Sequence, residues 1–304
     1  MRLPVVYHPQ YEVSLKPGHR FPMSKYGYLR QHLAVRGLAP PGGFFAPVEA
    51  GAETIMLAHE PGYVDRVFHG RMTTEEVKRI GLPPSDAMTR RVRLSAAGTT
   101  LAARLALEHG VACNAAGGSH HAARGGGAGY CVFNDVAVAA ATLLAEGVIG
   151  RVLILDLDVH QGDGTADIFS NDPRVFTVSV HGARNYPAVK VQSDLDIPLA
   201  DGTGDAAYLA MLDEVLKVAE ASFHPDLIFY NAGVDVLATD RLGRLGLTPE
   251  GLRQRDRRAL AWAGWLDVPV VGVLGGGYGE DPDRIAAHHA TLFEEADRLM
   301  RQSA

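Results

Sequence analysis

The chain has 304 residues, with 29 Lys or Arg against 35 Asp or Glu, a formal balance of −6 with histidine neutral. With 47% hydrophobic and 21% charged residues, its composition is that of a globular protein and excludes a disordered chain, a collagen-like rod or a coiled coil. The mild acidity argues against nucleic acid or an anionic membrane as a bulk partner, because both need clustered positive charge.

Short apolar runs alternate with helix-length segments along the chain. Strands are expected at 3–7, 111–115, 151–157, 174–180, 226–231 and 268–274, each apolar enough to be buried on both faces. Helices are expected at 134–146, 205–223, 248–265 and 282–300. Thr248, Pro249 and Glu250 supply a capping hydroxyl, a proline at the first helical position and an early acid. The region 37–86, with Pro40-Pro41 and Pro83-Pro84, reads as irregular surface loops. The alternation predicts an α/β domain spanning 1–304, a mostly parallel sheet with helices on both faces. Residues 1–10 lack the charged-then-apolar form of a secretion signal, and no apolar run approaches the ~18 residues of a membrane span. A soluble, cytoplasmic protein is therefore expected. The two cysteines, Cys113 and Cys131, rule out a four-cysteine zinc site, and Cys113 reads as a buried strand residue.

In open α/β sheets ligands bind beyond the carboxyl ends of the strands, and four polar clusters fall there. They are Gly117-Gly118-Ser119-His120-His121, the segment from Asp156 through Asp158 and His160 to Gly164, Ala232-Gly233-Val234-Asp235, and Gly275-Gly276-Gly277-Tyr278. Parallel strands would bring all four to one rim. Asp156, Asp158 and His160 alternate, so on an extended segment they share a face. Two carboxylates and an imidazole on an apolar strand are costly to bury without a cation; the alternative is that the acids cap the following turn and helix. Asp235 is the natural third ligand beside Asp158 and His160, and three protein ligands leave an open coordination position, as catalytic metal sites do. The donor types suit zinc, with iron(II), manganese and cobalt also compatible.

His120 and His121 can share a site only on an irregular backbone; the alternative is that one is a core histidine. His288-His289 lies in a helical run without a glycine turn and reads as structural or surface, and the remaining histidines, among them His59, receive the same reading. Gly125 to Gly129 and Gly275 to Gly277 lack a phosphate-binding lysine and a dinucleotide fingerprint; the second run instead lets Tyr278 reach inward. The arginines 241, 244, 253, 255, 257 and 258 read as a solvated helix face.

Taken in order, these four motifs resemble the metal-dependent histone deacetylase family. Arg124-Gly-Gly-Gly, the stretch Tyr230 to Asp235 and Asp240-Arg-Leu-Gly are most similar to its class IV branch and bacterial relatives. The resemblance implies the three-layer arginase/deacetylase-like α/β fold. It implies zinc ligands at Asp158, His160 and Asp235, a general base and acid at His121, and an electrostatic partner at His120. Asp163 and Asp156 would orient His121 and His120, Tyr278 would donate to the oxyanion, and Gly118 would accept the substrate amide N–H. Tyr130 and Tyr186 would wall an acyl-lysine tunnel, and a structural potassium ion is implied near Asp156 and Ser179. The expected reaction is hydrolysis of the side-chain amide of an N-acyl-lysine, acetyl or longer, in a protein or peptide. Three alternatives compete with it. An acetylpolyamine or other small N-acyl-amine hydrolase would tend to carry a glutamate where this chain has Leu242. A binuclear ureohydrolase usually needs a second aspartate where this chain has Leu237. An inactive homologue would commonly have lost His121 or Tyr278.

Overall fold

The computed structural model describes residues 2–302. The strands are β1 (Val5–Val6), β2 (Val111–Asn114), β3 (Val152–Asp156), β4 (Val175–Gly182), β5 (Leu195–Leu199), β6 (Leu227–Asn231) and β7 (Val270–Val273). They form one sheet in the order β1-β2-β7-β6-β3-β4-β5, and every adjacent pair is parallel. Residues of β2, β3, β6 and β7 are buried throughout, as apolar runs covered on both faces require. Cys113 is fully buried in β2. The edge strand β5 is mostly half-exposed and contains Asp196 and Pro198, so it has no apolar run to announce it.

The helices are α1 (Lys25–Val35), α2 (Ala52–Met56), α3 (Pro61–Phe68), α4 (Thr74–Ile80), α5 (Asp86–His109), α6 (Asp135–Ala145), α7 (Asp163–Phe169), α8 (Asp205–Ser222), α9 (Pro249–Trp265) and α10 (Pro282–Gln302). The four expected helices are present to within two residues, and α9 starts as its first residues imply, with Thr248 Oγ1 accepting from Gly251 N. The region 37–86 departs from the expectation: it holds three helices, α2 to α4. A capping box opens α4, where Thr73 Oγ1 accepts from Glu76 N and Glu76 Oε2 accepts from Thr73 N, a Thr-x-x-Glu signature visible in the sequence. These helices bury few residues each, so they lack the long periodicity that marks the others. Among the described residues no helix is long and apolar enough to cross a membrane.

Candidate active site

The four polar clusters begin where β2, β3, β6 and β7 end, and these strands are neighbours in the order β2-β7-β6-β3. Parallel pairing therefore delivers all four to one rim. Asp156 closes β3; beyond it the chain leaves the sheet, Leu157 and Val159 turn into the core, and Asp158 and His160 face the rim. His160 Nδ1 lies 3.0 Å from Asp158 Oδ1 and 3.2 Å from Asp235 Oδ2. One ligand atom from each of the three residues falls within 4.8 Å of the others, and all three residues are buried.

The electrostatics of this set are those of a cation site. Burial, and then the charge of Asp158, push the Asp235 carboxyl up to about 7 although His160 opposes the shift. Burial disfavours charge on His160 as well, yet Asp158 and Asp235 raise its pKa to about 10. Two buried carboxylates that cannot both ionise comfortably are what a divalent ion relieves, and two oxygens with one imidazole nitrogen fit zinc, iron(II) or manganese by donor type. Gly276 is required here, since a Cβ at that position would collide with the carboxylates of Asp235 and Asp158.

His120 and His121 reach the same site because the turn before them runs through Gly117 and Gly118 at φ +86° and +82°, a region open to glycine. Asp135 fixes that turn by accepting from the N–H groups of Gly118 and Ser119. The Gly118 carbonyl accepts from His120 N at 2.9 Å and keeps a second lone pair. The two rings lie 4.1 Å apart. His120 Nδ1 donates to Asp156 Oδ2 and His121 Nδ1 to Asp163 Oδ1, each at 2.6 Å. Burial opposes charge on His120, but Asp156 and Asp158 overcome it and hold the pKa at about 9. Burial, and then His120, push His121 down to about 4 despite Asp163.

Tyr278 is buried, its ring edge-on to His160 at 6.1 Å. Burial raises its hydroxyl pKa well above the usual value, so it stays a proton donor. Tyr186 stands edge-on to His121 at 4.8 Å, and Tyr130 lies 5.9 Å from Tyr278. These three tyrosines, His121, His160 and Leu242 line one cleft of about 420 Å³. All twelve expected site residues thus lie at this rim. Asp156 and Ser179 are side by side in register on β3 and β4. Their side-chain oxygens are engaged by His120, Asn231 and His181, so side chains alone do not define a potassium site there. Leu237 is buried and offers no ligand for a second metal.

Sequence reasoning missed several supports. Asp240 Oδ2 accepts from Tyr278 N and its Oδ1 from the N–H groups of Leu242 and Gly243, so one carboxylate aims two site residues. Arg255 corrects the reading of a solvated helix face. It is fully buried, its Nη1 donates to Leu157 O and Gly233 O, and its Nε and Nη2 donate to Asp256 Oδ1. It ties together the two loops that carry the candidate ligands. Its flanking arginines 253, 257 and 258 are partly exposed and pair with acids of neighbouring helices, Glu295 among them buried, whereas Arg241 and Arg244 lie on the loop between β6 and α9 and not on a helix face. His289 and His59 are buried and structural, as expected; His59 Nδ1 donates to Ala123 O and its Nε2 accepts from Asn134 N.

Residues 19–293 match the family model of the histone deacetylase domain, and the chain belongs to that family of metal-dependent hydrolases. Among its relatives, an uncharacterised protein of Picosynechococcus sp. is 44% identical over 97% of this chain and 99% of its own length. Histone deacetylase 2 of Arabidopsis thaliana is 31% identical over 94% of this chain and 77% of its own. A probable deacetylase of Archaeoglobus fulgidus is 32% identical over 90% and 80%. The crystal structure of the HDA15 HD domain superposes with a TM-score of 0.81 at 23% identity over 98% of this chain and 89% of that one, which bears out the expected fold.

Proposed function

We propose that the chain is a cytoplasmic, zinc-dependent amidohydrolase that removes an acyl group, acetyl or longer, from the Nε amide of an acyl-lysine in a protein or peptide. One observation carries the reading: two adjacent histidines, each held by its own carboxylate at 2.6 Å, converge with Asp158, His160 and Asp235 and with Tyr278 on a single cleft. Asp158, His160 and Asp235 would hold the ion, which when bound supplies Lewis acidity towards the amide carbonyl and a lowered pKa for water.

The protein's own residues account for the remaining work. Asp163 fixes the His121 tautomer with its proton on Nδ1, leaving Nε2 as the base that takes a proton from water and later returns it to the departing amine. The His120–Asp156 pair sets the charge beside it. The Tyr278 hydroxyl donates to the oxygen that becomes anionic, and the Gly118 carbonyl accepts the amide N–H. Tyr130 and Tyr186 exclude water along the lysine methylenes, with Leu242 beside them, and a potassium ion near Asp156 and Ser179 belongs to the same proposal. The test is turnover of an acyl-lysine peptide panel, followed by mass spectrometry with and without chelator. No hydrolysis by metal-loaded protein would overturn the reading, and higher efficiency on acetylspermidine than on every peptide would replace it with the polyamine one.

A further inference from the structure

The chain is acidic overall, yet the cleft mouth is basic. Its lining includes Lys78, Arg79, Arg184 and Arg244 and no aspartate or glutamate. The four cations come from three separate segments, the last turn of α4, the loop after β4 and the loop after β6, and all four are exposed. Part of this charge has local employment. Arg79 Nε donates to Gly127 O at 2.7 Å, and cations near the end of α4 complement its backbone dipole. Arg184 and Arg244 share one carboxylate, that of Asp201, at 3.5 and 3.3 Å. Lys78 and Arg79 have no carboxylate within ion-pair distance among the described residues. Counting Asp201 and also Asp163, whose partly exposed carboxylate holds the lining His121, two acids against four bases still leave a positive collar around the entrance to His121 and Tyr278. At a cleft walled by protein such a collar concentrates anions and repels cations.

Resting on the acyl-lysine reading, we infer that this collar selects substrates carrying carboxylate close to the acylated side chain, and that it rejects lysine- and arginine-rich tails and polyamines. The carboxylate can come from Asp or Glu flanking the acyl-lysine or from the free α-carboxylate of the acylated residue itself. Both sources present an anion where the substrate backbone crosses the rim, and the collar's exposed geometry suits either.

The test uses the full chain loaded with metal and labelled acyl-lysine peptides identical except for flanks of Asp/Glu, Gly/Ala or Lys/Arg. Affinity is read by fluorescence anisotropy and turnover by mass spectrometry. The acidic peptide should bind about tenfold more tightly than the basic one at low salt, with the difference in KM rather than kcat, shrinking to about twofold at half-molar salt. Combining Lys78→Glu with Arg244→Glu should reverse the order. A pair of Nε-acyl-lysines, one with a free α-carboxylate and one capped as the carboxamide, separates the two carboxylate sources. Equal or tighter binding of the basic peptide, or a preference untouched by the charge reversals, overturns the inference. If acidic peptides bind preferentially but none is hydrolysed, the acyl-lysine hydrolase reading fails and the anion preference stands.

Discussion

Replacing Arg255 by methionine tests whether that buried guanidinium is the strut under the candidate site. Its side chain is 0% exposed and that of Asp256 is 1% exposed. Methionine fills much of the volume but leaves the Asp256 carboxylate with the Tyr230 hydroxyl, at 2.5 Å, as its remaining side-chain partner. It also strips a donor from the carbonyls of Leu157 and Gly233. Breaking a buried ion pair from one side costs about 3–5 kcal/mol, and an unsatisfied buried carbonyl about 1–3 kcal/mol. These losses share a network and do not simply add, so a total near 5 kcal/mol is expected. For a chain of this size that corresponds to a fall in Tm of about 10 °C. Arg257→Met is the control. Its side chain is 43% exposed, and the buried Glu295 carboxylate it pairs with keeps Arg253 as a second partner, so it should cost only about 1–2 kcal/mol. Arg255→Lys keeps the charge but loses the fork that reaches two loops, and should fold while binding its metal more weakly. The assays are calorimetry for Tm and metal content after dialysis against a weak chelator. Equal melting temperatures for Arg255→Met and Arg257→Met would refute the reasoning.

Three further outcomes follow from the same geometry. His121→Ala should lower kcat by about 100-fold or more while leaving Tm and metal content near wild type, and Tyr278→Phe by a comparable factor, measured on the best peptide of the panel; unchanged rates would favour an inactive homologue. Asp235→Asn should abolish tight metal retention, and a strong chelator should inactivate the wild-type chain until a divalent ion is restored, read by metal analysis and activity together. The third outcome concerns pH and stability. Burial lowers the His59 pKa to about 4, so between the unfolded value near 6.5 and 4 the unfolded chain binds more protons than the folded one. Its contribution therefore destabilises progressively as pH falls through that window, by about 3 kcal/mol in all. Urea titrations of the wild type and His59→Gln across pH 4–7 should show a shallower slope for the variant.

The central strands and the four rim clusters were legible because strands buried on both faces read as apolar runs, and because acids and histidines clustered with glycine turns at their ends are not explained by apolar packing. The edge strand β5 was illegible for the opposite reason: with Asp196 half-solvated and Pro198 in it, its residues resemble a loop. α1 buries Lys25, and α5 buries Arg91 among alanines, so polarity misreports which face is inside. Arg255 was hidden by its neighbours, although it falls on the stripe of Leu252, Ala259 and Trp262, all buried, three behind and four and seven ahead. Helical spacing, given more weight than residue type, marks it as an inside residue. Asp135 and Asp240 act mainly through backbone N–H groups, so even within the Asp240-Arg-Leu-Gly stretch residue type alone did not reveal what the carboxylate holds.

The pairing of β3 with β6 also implies an order of events during folding. His160 and Asp235 are 75 residues apart in sequence, and the excursion between them contains α7, β4, β5, α8 and β6. Arg255 follows later still, and Tyr278 after that. A chain emerging in sequence order exposes Asp156, Asp158 and His160 well before the partners that make their proximity tolerable exist. Closing so long a loop is slow compared with forming a helix, so the candidate ligand set is completed only when the centre of the sheet closes. A cation bound by this set would be captured by a nearly finished protein and would stabilise that state by mass action. Metal capture would thus report that the central strands had closed in the right order.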